Sequence, residues 1–351
     1  MSKTVRALIA IAMSVVALFL AARNAQLDGL RSALGHAKFA WLLPYPVICI
    51  VLNVIRGEIW RLLLQRRVST VQAFWAYTVG FLANNVLPFR LGEAARVVVL
   101  ARRSNLPIVE VGAAAGLERL LDLAALALML AIVGPRVVHV PGVMSAAMLV
   151  VGVVAGAVVA IAALNRFRDP ASRLLAWATS WMPAAGRAAL MHRWSELTRG
   201  LAILLNPAVG IPAACGAAIV WILTIVLQWL VLRSFQSHAG AMEATFMIVA
   251  VSLAIALPAA PGFVGVYHLA GQQALMVAFP QLYDANTALA ATTVSHAVSY
   301  VTSTALGLIG LWYFGVPPRE MGTVLDARHQ VRDRIEEQQG REVIPAQASQ
   351  P

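Results

Sequence analysis

The stretch Asn84-Asn85-Val86-Leu87-Pro88-Phe89-Arg90-Leu91-Gly92-Glu93-Ala94-Ala95-Arg96 follows directly on an apolar run. It sets two amides, a proline, a glycine and three charges in a chain that otherwise keeps charge out of such runs. Its reading decides the fold. The run before it, Val71 to Leu87, is long enough to count as a membrane span. Arg56, Arg61, Arg66 and Arg67 precede that run, and Arg90, Arg96, Arg102 and Arg103 follow it. A full crossing would put two strongly basic loops on opposite sides of the membrane, against the bias that keeps Lys and Arg in cytoplasmic loops. A hairpin removes the conflict: the chain enters from the cytoplasmic side, breaks near Asn85-Val86-Leu87-Pro88, and returns as a short helix from Gly92.

The 351 residues are 60% hydrophobic and 12% charged, with a mean hydropathy of +0.75. A soluble domain could not cover that much apolar surface, so the composition reads as a polytopic membrane protein. The net charge of +11 invites a nucleic-acid partner. The arginines stand in short loops between apolar runs, which is how topology is encoded, and so argue against that partner. The two cysteines, Cys49 and Cys215, lie inside apolar segments with no partner at metal-ligand spacing, so neither a disulfide nor a metal site is expected.

Six full spans are expected: Val5 to Ala22, Phe39 to Ile55, Val111 to Gly134, Gly142 to Leu164, Val209 to Leu232 and Ala285 to Phe314. The cluster from Arg56 to Arg67 is taken as the loop after the second span, with Trp60 as an interfacial anchor. Asn165 to Asn206, with six arginines and three tryptophans, is expected to form cytoplasmic helices along the membrane surface. Ala244 to Leu257 runs into Pro258-Ala259-Ala260-Pro261-Gly262-Phe263-Val264-Gly265, which no continuous helix would choose. Val266 to Phe279 follows as a second half-helix. The expected fold is therefore all-α: a transmembrane bundle over residues 1–318 with six spans and two re-entrant broken hairpins from opposite faces. Both termini would be cytoplasmic, and residues 319–351 form a polar tail whose composition reads as disordered.

Unwound backbone is tolerated at membrane depth only where it is buried in protein or lines a wet cavity. Pro88, Pro258 and Pro261 mark the breaks, and broken helices in two halves of a chain point to a transporter's binding site. The half-helix from Gly92 aims free N–H groups at the first break, and Asn84, Asn85 and Arg90 add donors. Such a site suits an anion, and lipid phosphate is the anion a membrane offers most readily. Glu118 and Asp122 share a helix face inside an apolar run, with Arg119 in reach of Asp122. Charge inside a spanning helix faces the bundle interior, and the surplus acid calls for another cation. Glu93 and Arg96 are a helix pair beside the break. His268 and His296 stand in apolar surroundings in the second half. No nucleophile–base pair, nucleotide loop or cofactor motif is present.

Three motifs in order resemble the flippase-like integral membrane family, which includes the transmembrane part of lysylphosphatidylglycerol synthase and hopanoid-cluster membrane proteins. They are Asn84-Asn85-x-x-Pro88-x-Arg90-x-Gly92-Glu93-x-x-Arg96, Glu118-Arg119-x-x-Asp122 and Pro258-x-x-Pro261-Gly262-x-x-Gly265-Val266. The resemblance implies movement of a lipid or lipid-linked head group between leaflets of the inner membrane, with no cofactor. Gly262 and Gly265 would line the second half of the binding site. The synthase's aminoacyl-transferase domain is not expected here. The second half departs from the family: Phe263 and His268 stand where the family has Gly and Glu, and His296 where it often has Arg. The Phe263 and His268 pattern is most similar to the hopanoid-associated branch, and the two histidines are expected to replace a Glu–Arg pair together, in a hydrogen-bonded and pH-sensitive contact. A membrane-embedded transferase and a scaffold for lipid-synthesis enzymes are the alternatives to a transporter. A second copy of the chain is a further candidate partner.

Overall fold

The computed structural model describes residues 3–23, 25–87, 90–137, 143–256 and 260–315. Pro88, Pro258 and the tail from Arg319 lie outside the described residues. Among the described residues there are thirteen α-helices and no strand. The first half holds α1 (Lys3–Ala22), α2 (Leu27–His36), α3 (Tyr45–Leu63), α4 (Thr70–Val86), α5 (Gly92–Ser104) and α6 (Ile108–Val137). Then come α7 (Val143–Arg166), α8 (Arg168–Ala178), α9 (Ala184–Ala202), α10 (Pro207–Phe235), α11 (Ala241–Ile255), α12 (Val266–Ala278) and α13 (Ala285–Tyr313).

The surface is inverted relative to a soluble protein. Phe19, Leu128 and Val301 are 67%, 61% and 66% exposed, while Arg96 and Glu118 are 2% and 1% exposed. Apolar side chains face outward because lipid is their solvent, and charges face inward because lipid is not theirs. Phe39–Leu63, Ile108–Val137, Pro207–Phe235 and Ala285–Tyr313 are long and apolar enough to cross a membrane. Val151–Arg166 with Arg168–Ala178, bent by 83°, makes a fifth if the pair counts as one span. On length and apolarity, four to five of the expected six spans are thus met.

Caps place the helix starts where the sequence supplies them. Ser69 and Gln72 form a reciprocal capping box at α4, Asn206 and Pro207 open α10, and Asp284 accepts from the Thr287 amide at α13. The second expected span needs correction. Phe39–Leu42 is a separate 3-10 turn, and α3 begins after Pro44 and runs past Ile55 to Leu63. It continues because Arg56 and Trp60 are buried inside the bundle rather than lying in a loop.

Helix α5 folds back along α4 as an antiparallel hairpin. Gly92 permits the turn: a Cβ there would fall 1.9 Å from the Gly80 carbonyl oxygen. Helices α11 and α12 form the second hairpin, with Phe246 near the start of one against Phe279 just beyond the end of the other. The two hairpins open toward opposite ends of the bundle. At one end, Arg67 pairs with Glu110 and Arg103 lies over Phe314, so the ends of α3, α5 and α13 and the start of α6 gather there. At the other, the Lys38 amide donates to Ser234 O, Trp229 to Ala239 O, and the Gln26 amide to Asn286. That end therefore gathers α2, the end of α10 and the starts of α11 and α13.

Candidate binding cavity between two helical hairpins

Helix α13 brings the two breaks together at its middle. Asn85 Nδ2 donates to Ser303 Oγ at 3.0 Å and Thr304 Oγ1 at 2.9 Å. Two turns away, His296 Nε2 bonds the Gly262 carbonyl at 2.8 Å. The Arg90 guanidinium lies over the Phe263 ring at 5.9 Å, so the breaks also touch each other directly. Each break is held in left-handed backbone, at Arg90 (φ 54°) in the first and at Gly262 (φ 67°), Phe263 (φ 58°) and Gly265 (φ 87°) in the second. Gly265 is required twice over, since a Cβ would also stand 2.1 Å from the Ser14 carbonyl of α1.

Between the hairpins lies a cavity of about 280 Å³, lined in part by Arg56, Arg90, Glu93, Arg119, Phe263 and His296. Its charged wall is one face of a closed ring. Arg56 Nη1 meets Glu118 Oε1 at 2.7 Å, and Arg96 Nη1 meets Glu118 Oε2 at 3.1 Å. Arg96 and Arg119 both pair with Glu93. Arg119 then reaches Asp122 at 3.1 Å, and Arg56 closes the circuit on Asp122 at 3.4 Å. Each acid thus touches two arginines, and each of these arginines touches two acids. Indole donors complete the set, from Trp60 Nε1 to Glu118 at 2.7 Å and from Trp221 Nε1 to Asp122 at 3.1 Å. Arg56, Arg96, Glu118 and Asp122 are buried, while Glu93 and Arg119 are about a third exposed toward the cavity; buried charges persist only when paired.

The expected site residues divide by task. Glu93, Arg96, Glu118, Arg119 and Asp122 come together in the ring. Arg90 lines the cavity outside the ring, and among the described residues no carboxylate lies within ion-pair distance of it. Asn84 Oδ1 accepts from the Gly92 amide at 2.8 Å, so the side chain caps the half-helix whose start was expected to face an anion. Asn85 likewise spends its donors on α13. Pro261 opens the 3-10 turn of the second break. His268 and His296 do meet, with ring centroids 4.9 Å apart. Each bonds backbone at the break, His268 accepting from the Gly265 amide at 3.3 Å.

Arg56, Trp60 and Trp221 were not legible as site residues. Arg56 closes the ring from 62 positions upstream of Glu118, so no helix spacing relates the two. The surplus acid was the one available signal; of the two cations near the break that could answer it, Arg90 and Arg96, only Arg96 pairs with Glu118, and Arg56 joins it there.

The family described as "Lysylphosphatidylglycerol synthase TM region" matches residues 7–307. The chain belongs to that family. The match takes in both hairpins, the ring and α13 as far as Gly307, in keeping with the three motifs. No curated protein and no solved structure matches the chain. Within this member of the lysylphosphatidylglycerol synthase transmembrane-region family, the second break carries histidines, and their bonds go to the backbone of Gly262 and Gly265, which stand beside the cavity-lining Phe263 but do not themselves line the cavity.

Proposed function

We propose that the chain is an inner-membrane lipid transporter that carries an anionic head group between leaflets and leaves the lipid chemically unchanged. The observation that carries this reading is Arg90, a cation without a carboxylate partner among the described residues, lining a cavity at the meeting point of two helix breaks. Removed from bulk water, such a cation favours an anion over an empty site. The cavity measures about 280 Å³. That is room for a phosphorylated head group, while acyl chains stay in lipid.

In this reading both termini are cytoplasmic and α1, α3, α6, α7, α10 and α13 cross the membrane. The arginine-rich end, with α8 and α9, then faces the cytoplasm. Hairpin α4–α5 re-enters from that side and α11–α12 from the other. Their helices support this by length: α5 and α12 have 13 residues each, about 20 Å at 1.5 Å per residue, against a hydrocarbon core of about 30 Å.

Purified protein in liposomes with a tail-labelled phosphatidylglycerol tests the proposal. Quenching from outside reads leaflet exchange, and lipid extraction afterwards reads covalent change. Exchange above protein-free vesicles with the lipid recovered intact is expected. Recovery of a modified lipid would establish a transferase instead, and no exchange would end the transport reading.

A further inference from the structure

The two residues through which the breaks touch have backbone that is unusual for their type. Arg90 (φ 54°) and Phe263 (φ 58°) both lie in the left-handed region, where a side chain costs free energy that glycine avoids. Gln65, Arg66 and Asn105 share that region, but they directly follow α3 and α5, where a left-handed residue is a common way to end a helix. The second break uses glycine at its other two left-handed positions, Gly262 and Gly265. At 263 the chain keeps a phenylalanine.

Strained residues persist where the surrounding structure depends on them. Core packing does not account for this one: Phe263 is only half-buried, and the buried apolar clusters among the described residues do not include it. It lines the cavity, and the Arg90 Cζ lies over its phenyl group, 5.9 Å from the centroid. An aromatic face attracts a guanidinium without taking any of its N–H groups, whereas a carboxylate takes one or two. Arg56, Arg96 and Arg119 give donors to the acids of the ion-pair ring. Arg90 is held by a partner that uses none.

We infer that Phe263 is a positioning residue for the anion: it fixes the plane of the Arg90 guanidinium, so that the fork is set for the oxygens of a phosphate before the head group arrives. The inference rests on the transport reading above and adds a residue of the second hairpin to its binding site. A guanidinium meets phosphate in parallel N–H···O bonds, a match that requires a defined plane. A side chain that must be ordered on binding weakens affinity, and one held beforehand does not. The left-handed backbone at Phe263 is thereby accounted for, as the geometry that carries a phenyl group from the second hairpin to the cation of the first.

The test titrates unlabelled phosphatidylglycerol against a trace of the tail-labelled lipid in phosphatidylcholine proteoliposomes and reads the mole fraction that half-saturates exchange. Phe263→Leu keeps an apolar side chain and loses the aromatic face. Its half-saturating fraction should rise about two- to fivefold, with the maximal rate per folded protein retained. Phe263→Tyr, which keeps the face, should stay at the wild-type value. A merely structural role would lower the amount of folded protein and leave the half-saturating fraction where it was. Phe263→Gly removes the aromatic face and the backbone strain together, so it should shift the fraction as Phe263→Leu does while melting no lower. An unshifted fraction in Phe263→Leu, or an equal shift in Phe263→Tyr, would overturn the inference while leaving transport standing. So would a Phe263→Gly protein that melts well below Phe263→Leu, since the side chain would then be held for packing. No exchange by the wild-type protein would remove the transport reading itself.

Discussion

Replacing Glu118 with glutamine keeps the shape of the side chain and removes one charge from the ring. The wild-type carboxylate receives Arg56 and Trp60 at 2.7 Å each and Arg96 at 3.1 Å. Glutamine offers one acceptor oxygen and turns an NH₂ toward the remaining donors. Removing one partner of a buried ion pair costs about 3–5 kcal/mol, because the other charge stays buried and uncompensated. Here Arg56 keeps Asp122 at 3.4 Å and Arg96 keeps Glu93, so the lower figure, about 3 kcal/mol, applies. At about 1–2 °C per kcal/mol for a chain of this length the melting temperature falls by roughly 3–6 °C. Size-exclusion chromatography of detergent-solubilised protein after graded heating measures the shift. Arg56→Gln combined with Glu118→Gln removes a charge of each sign and should be less destabilised than the sum of the two single variants. A single variant that melts with wild type, or strict additivity in the double, would refute the closed ring.

Other perturbations separate architecture from function. Gly92→Ala drives a methyl group into the Gly80 carbonyl and Asn84, and should abolish the monodisperse protein peak. Gly112→Ala, where nothing lies within 4 Å of the added carbon, should leave that peak unchanged. Trp60→Phe removes a hydrogen bond to a charged acceptor and should destabilise by about 1.5–3 kcal/mol, read by the same heating assay. In a background lacking Cys49 and Cys215, a cysteine at Asn105 should label only from the cytoplasmic side and one at Ser237 only from outside. Labelling of Asn105 from outside would contradict the first re-entrant hairpin.

The helical breaks were legible because proline, glycine and charge interrupt apolar runs, and local sequence alone sets that pattern. Glu118, Arg119 and Asp122 were legible for the same reason, as charges where lipid forbids them. Arg56 and Trp60 were not, since a basic residue at the end of an apolar run reads as the start of a loop. Only the third dimension shows that α3 carries both eight residues further inside the protein. The roles of Asn84 and Asn85 were obscured differently. A carboxamide beside a break can meet a ligand or cap a helix with equal chemistry, and the Gly92 amide and α13 were nearer. The two histidines lie ring against ring, but their hydrogen bonds go to the backbone of Gly262 and Gly265 rather than to each other, a contact that side-chain identity alone does not encode.

Arg90 separates binding from stability. It lies outside the ring and contributes one contact over Phe263, worth about 0.5–1 kcal/mol. Arg90→Gln should therefore fold and melt close to wild type. The most direct measurement of the central claim is leaflet exchange of tail-labelled phosphatidylglycerol in proteoliposomes of this variant and of wild type, matched for folded protein. The account requires exchange by wild type and a rate near that of protein-free vesicles for Arg90→Gln. Equal exchange by both proteins would contradict the assignment of the cavity as the anion's path.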